Sequence, residues 1–190
     1  MKNIAVFASG KGSNFQAIAE QIKSGKLKAN LALLVCDKPQ APVLAKAKKF
    51  KVDAVLVKRE DFPTRDAFEE EIIRHLKAKK IDLVVMAGFM RMLGPLLLGA
   101  YKNKIINIHP ALLPSFKGAH AIKDAFDCGV KVTGVTVHFV DEEMDHGPII
   151  LQEAVEIKGS DTVESLEEKI HEVEHRLYPE AIRLFMVANP

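Results

Sequence analysis

Short apolar runs recur through the first part of the chain, each followed by residues at helical spacing. They are Ile4 to Ala8, Leu31 to Cys36, Asp53 to Val57, Ile81 to Met86 and Lys104 to Ile108. Leu31 to Cys36 is apolar throughout, which marks a strand covered on both faces. Between the runs lie stretches that suit helices. Asn14 to Lys23 puts Phe15, Ile18, Ala19 and Ile22 on one side, and a second helix is expected over Pro42 to Phe50. A third opens at Pro63 and Thr64. It carries Asp66, Glu69, Glu70 and Glu71 early and Arg74, Lys77, Lys79 and Lys80 late, as the helix dipole favours. Its buried stripe is Phe68, Ile72 and Leu76, and a shorter helix runs to about Tyr101. Strands alternating with helices build a parallel sheet with right-handed crossovers.

The pattern then changes. Ala121 to Cys128 suits a short helix, but Val132 to Val140 and Ile149 to Ile157 are strand-like runs joined only by DEEMDHGP. A link that short makes an antiparallel pair. From about Thr162 a long helix follows, with Val163, Leu166, Ile170, Val173 and Leu177 stepping by three and four up to Pro179. That seam suits packing on the sheet. The expected fold is α/β: a Rossmann-like, mostly parallel sheet flanked by helices, with an antiparallel C-terminal strand pair and a long C-terminal helix, in one domain over 1–190.

Composition narrows the partners. A net charge of +2 makes no case for nucleic acid or a membrane surface, and no apolar run is long enough to span a bilayer. The apolar run in MKNIAVFASG is too short for a signal peptide and reads as a first strand. Cys36 and Cys128 lie far apart, with no second Cys near either. A reduced, cytoplasmic protein without structural zinc is expected.

Several motifs carry chemistry. In KIINIHPALLPSFKGAH, Pro110, Pro114 and Gly118 forbid regular structure after the strand. Asn107 and His109 therefore stand where a strand meets a loop, and their spacing aims both to one side. An amide and an imidazole so placed hold a developing oxyanion; a turn Asn and an incidental loop His would have the same spacing. In SGKGSN, Gly10 and Gly12 turn the chain so that the amides of Gly12, Ser13 and Asn14 face an anion at a helix start. Phosphate is the natural ligand. Phe15 stands where a dinucleotide fingerprint has its third Gly, although Asp37 is placed like a ribose-binding acid. A plain tight turn is the remaining reading.

HEVEH at 171–175 matches a zinc-hydrolase helix, but Ile170, Val173 and Leu177 already commit one side of that helix to packing. Glu174 reaching a polar site and a solvated helix face are the other readings. In DEEMDHGP, Gly147 and Pro148 bend the chain just after Asp145. A carboxylate fixed there hydrogen-bonds an imidazole and favours its charged form. His138 alternates within an apolar run, as a core or a catalytic histidine. AGFMRML at 87–93 suits a wall for a flat heterocycle or ordinary packing, with Arg91 on the surface.

Taken in order, ASGKGSN, AGFMRML, NIHPALLPSFKG, GVTVHFVDEEMDHGPIILQ and HEVEHRLYPEAI resemble the folate-dependent formyltransferases, and among them the glycinamide ribonucleotide branch of purine synthesis. The likeness covers essentially the whole chain. Ala111 departs from it, since relatives commonly have Ser there. The resemblance implies formyl transfer from 10-formyltetrahydrofolate, a co-substrate, to the amine of 5'-phosphoribosylglycinamide, with no metal. It implies a phosphate- and nucleotide-binding half over 1–100 and a catalytic and folate-binding half over 101–190. Asn107, His109 and Asp145 would be catalytic. Gly12, Ser13, Asn14 and Glu174 would bind the ribotide. Arg65, Met90, Arg91, Met92, Leu93, Asn107, Asp141 and Asp145 would bind the folate, the last pair with the backbone between them. Small molecules would be the only partners of a monomer or homodimer. The same core serves formyltetrahydrofolate deformylase, a hydrolase that usually carries an extra domain for which this chain leaves no room. A nucleotide-binding module without catalysis would leave Asn107, His109 and Asp145 without a task.

Overall fold

A computed structural model describes residues 1–189. The elements are β1 (Asn3–Phe7), α1 (Ser13–Lys23), β2 (Asn30–Cys36), α2 (Val43–Phe50), β3 (Ala54–Leu56), α3 (Arg65–Ala78), β4 (Leu83–Met86), α4 (Pro95–Ala100), β5 (Ile105–His109), α5 (Ala121–Cys128), β6 (Val132–Phe139), β7 (Ile149–Glu156) and α6 (Val163–Ala188). One seven-stranded sheet runs in the order β3-β2-β1-β4-β5-β6-β7. β1 to β5 pair in parallel; β6 is antiparallel to β5, and β7 to β6. β1 lies between β2 and β4, so strand order reverses there, and in open α/β sheets ligands bind beyond the strand ends at such a point.

The period-two geometry of strands sorts side chains onto two faces. One buries Ile4, Val6, Leu34, Ile106, Ile108, Val135 and Val137 under α1, α2 and α6. The other buries Ala5, Phe7, Leu33, Val35, Val84 and Ile105 under Phe68, Ile72 and Leu76 of α3 and Leu97 of α4. Asn107 and His109 share this second face with Ile105. So do Thr136 and His138, their cross-strand partners on β6. Over β5 and β6 the second face is closed by the segments after β5 and after β6, which bond to each other from Gly118 N to Asp145 Oδ2 (2.9 Å).

One boundary differs from the sequence reading. His109 is the last residue of β5, because its pairing with Thr136 extends the strand past Ile108. As expected, a long helix closes the chain, and its buried side extends past Pro179, where the seam read from the sequence ended, to Ala181, Ile182 and Phe185. Proline removes one helical donor and crowds the preceding turn, and continued burial of the apolar side offsets that loss. α6 starts on a capping box, Thr162 Oγ1 accepting from Ser165 N (3.2 Å) and Ser165 Oγ from Thr162 N (3.0 Å). Among the described residues, no helix is long and apolar enough to cross a membrane.

Candidate active site

The strand pairing assembles the polar group. Asn107 stands opposite His138 and His109 opposite Thr136, all on one face. Thr136 Oγ1 donates to Ala111 O (2.7 Å) and accepts from Leu113 N (3.0 Å), and Gln152 Nε2 donates to Leu113 O (3.0 Å). The segment after β5 is thereby pinned over the strands, and it brings the Phe116 carbonyl to His109 Nε2 at 2.8 Å.

Asp145 arrives from the opposite direction. β6 runs antiparallel to β5, so the chain leaves β6 at the far end and must fold back across the face. Phe139 N donates to Pro148 O (2.8 Å) and closes the turn. A Cβ on Gly147 would lie 2.0 Å from Phe139 O, so only glycine permits this approach. Asp145 itself has φ 49°, in the left-handed region. Its Oδ2 lies 3.4 Å from His109 Nδ1, and its Oδ1 lies 3.9 Å from His138 Nε2.

These contacts specify protons. Phe116 O only accepts, so His109 Nε2–H donates to it, and Nδ1 faces the Asp145 carboxyl at 3.4 Å. His138 is arranged the other way. Its Nδ1–H donates to Phe139 O (2.8 Å), which leaves the Nε2 lone pair for Asn107 Nδ2 at 3.3 Å. Burial pushes the His138 pKa down, against the opposing pull of the Phe139 carbonyl and Asp145. A neutral His138 thus orients the Asn107 amide, one N–H turned to His138 and the other free. The sequence left His138 undecided; only the β5–β6 register shows that it faces Asn107.

The SGKGSN loop sits at the end of β1. Gly12 caps α1 with φ 68°, and a Cβ there would lie 2.4 Å from Val43 Cγ2. The first helical bond of α1 runs from Gln16 N to Gly12 O (3.1 Å), so the amides of Gly12, Ser13 and Asn14 precede it. Lys46 on α2 donates to Gly12 O (3.3 Å), placing a cation beside the loop that no sequence motif marks. Asn14 Nδ2 donates to Glu174 Oε2 (3.0 Å) between α1 and α6. Burial raises the Glu174 pKa, and the Asn14 hydrogen bond opposes it. Asn14 Oδ1 is buried without a partner.

The HEVEH segment lies within α6. The His171 and His175 rings stack with centroids 6.3 Å apart, and Glu174 turns inward to Asn14.

Across the sheet, Arg59, Arg65, Phe68, Glu69, Met90, Arg91 and Met92 line a cavity of about 330 Å³. Arg65 donates to Met92 O (2.8 Å) and to Glu69 (3.2 Å). Met90 and Met92 are exposed, whereas Leu93 is buried. Arg91 is not simply a surface residue, because its Nε donates to the buried Asp37 at 2.6 Å. Asp37 is therefore engaged within the protein and is not open to a ribose. Asp141 accepts from His146 Nδ1 (2.8 Å) and Glu143 N (3.0 Å), shaping the loop that carries Asp145.

Fold and site together place a glycine turn at the start of α1, a polar cluster on β5 and β6, and a cleft lined by three arginines, Glu69 and two methionines around one end of the sheet. The chain belongs to the formyl transferase family, whose pattern matches residues 2–182. It is 49% identical to phosphoribosylglycinamide formyltransferase of Bacillus subtilis over 189 residues, covering 100% of this chain and 97% of that protein. It is 42% identical to the trifunctional purine biosynthetic protein adenosine-3 of Gallus gallus, covering 95% of this chain but 18% of that one. Among solved structures, glycinamide ribonucleotide transformylase 1 of Geobacillus kaustophilus superposes with a TM-score of 0.95 at 53% identity, covering 97% of this chain and 98% of that one.

Proposed function

We propose that this protein transfers the formyl group of 10-formyltetrahydrofolate to the amine of 5'-phosphoribosylglycinamide. The observation that carries the reading is the convergence of Asn107, His109 and Asp145, drawn from segments that meet over one strand pair. The full-length relationship to the Bacillus subtilis enzyme supplies the substrate class.

The ribotide phosphate sits on the amides of Gly12, Ser13 and Asn14, with Lys46 adding positive charge and Glu174 facing the glycinamide end. The folate lies along Met90 to Leu93, with Arg65 and Arg91 beside it and Asp141 to Asp145 along its other edge. The two sites flank the carboxyl edge of the sheet, and His109 stands at that edge. The free amine attacks the formyl carbon. The carbonyl oxygen becomes an oxyanion, held by the free N–H of Asn107 and by protonated His109. Asp145 stabilises the imidazolium and assists proton transfer from the attacking amine to the departing folate nitrogen. In this structure Phe116 O occupies His109 Nε2–H, so the segment around Phe116 must shift for that proton to reach the oxyanion. No bond to the enzyme forms in these steps.

Release of tetrahydrofolate, measured with and without the ribotide, tests the reading. Release that requires the amine supports it. Release without the amine means a hydrolase, and no release in either case means a binding module.

A further inference from the structure

Asp37 is placed like a ribose-binding acid in the sequence, but its side chain is turned into the protein. The residue is 2% exposed, yet it is in neither set of residues assigned to the ribotide or the folate. Oδ1 accepts from Ser9 Oγ at 2.6 Å and Oδ2 from Arg91 Nε at 2.6 Å. Ser9 Oγ in turn accepts from Met90 N at 3.1 Å. Ser9 is the first residue of the anion loop, SGKGSN, and Met90 and Arg91 line the cavity on the folate side. One buried carboxylate at the end of β2 thus ties the end of β1 to the segment after β4.

The choice of donor matters. Asp37 takes Arg91 by Nε, and among the described residues no hydrogen bond uses either terminal nitrogen of that guanidinium. The terminal N–H groups are left for the cavity. A guanidinium offers its donors in a fixed plane, so gripping Nε sets the direction of the rest. Glu69 holds Arg65 in the same manner, by Nε at 3.2 Å on the other wall of the cavity.

We infer that Asp37 is a positioning residue for the folate side: it aims Arg91 into the cavity and, through Ser9, holds the Met90 backbone beside the anion loop. This rests on the functional reading above. Neither hydrogen bond of Asp37 reaches β5 or the Asp145 turn. Losing it therefore weakens folate binding in ground and transition states alike, which raises KM and spares kcat. A neutral amide cannot accept from both donors. Asp37→Asn is expected to raise the KM for 10-formyltetrahydrofolate ~10-fold, the worth of one charge-assisted bond, with kcat within about threefold. Ser9→Ala keeps the Asp37–Arg91 pair and the main-chain bond from Ser9 N to Gly88 O, and is expected to raise the same KM about threefold.

Hydrogen exchange of the Met90 amide gives a readout that requires no catalysis. It is expected to quicken in both variants while the amides of β1 and β2 keep their protection. An unchanged folate KM in folded Asp37→Asn overturns the inference. So does a fall in kcat accompanied by faster exchange throughout the sheet, which would make Asp37 a fold-stabilising residue only. If Asp37→Asn does not fold, Ser9→Ala decides by the same criteria. A wild-type protein that shows no ribotide-dependent transfer sinks the functional reading instead, and Met90 exchange then judges the Asp37 linkage alone.

Discussion

The second face of the sheet is built in two ways. Over β1, β2 and β4 it is covered by α3 and α4, and its buried side chains are almost wholly apolar. Over β5 and β6 the same face carries Asn107, His109, Thr136 and His138, covered by chain segments whose own backbone groups face inward. A helix satisfies its backbone internally and presents only side chains, so it closes apolar surface well. A pinned loop brings free carbonyl and amide groups, and these accommodate buried polar side chains. The change of cover follows from the change of strand direction. Parallel strands need crossover helices, whereas β6 and β7 are joined by a short link that folds back over the face.

The contrast can be broken at either end. Leu76→Ala, under α3, should cost about 2–5 kcal/mol of stability with KM for both substrates unchanged. Chemical denaturation alongside steady-state kinetics checks this. If KM moved as much as stability, the apolar packing of Leu76 would not be separable from the cavity that the start of α3 lines.

A smaller effect is expected from pH. Burial favours neutral His138 in the folded protein, so its pKa lies below the ordinary 6.5. The unfolded chain takes up the proton first. The stability contributed by His138 is therefore complete above pH 6.5 and is lost as pH falls through that value toward the folded one. Tm of the wild type should drop more between pH 8 and pH 5.5 than Tm of His138→Gln. His175, also shifted down by burial, leaves a residual drop of the same sign in both proteins. Equal slopes would mean that His138 is not held neutral.

Much of the helix-covered region was legible because its signals are local. The runs at Ile4 and Leu31, the stripe Phe68, Ile72 and Leu76, and the opening of α3 at Thr64 follow from spacing and capping within a few residues. The site was legible in part. Asn107 and His109 share a side because of their spacing, and the bend at Gly147 and Pro148 marked Asp145. Three features are tertiary and left no trace in spacing. The pairing of His138 with Asn107 depends on β-register. Lys46 reaches Gly12 from another helix, and the Ser9–Asp37–Arg91 link joins three strand ends. The seam read from the sequence ended at Pro179, but α6 runs on because burial on one side outweighs one missing donor.

The loop-covered face is tested most directly by the turnover of Asn107→Ala at saturating ribotide and folate, read beside its stability. Loss of one oxyanion donor is expected to lower kcat about 10²- to 10³-fold, with ribotide still bound and the fold intact. Turnover near that of the wild type would contradict the assignment of the chemistry to this face.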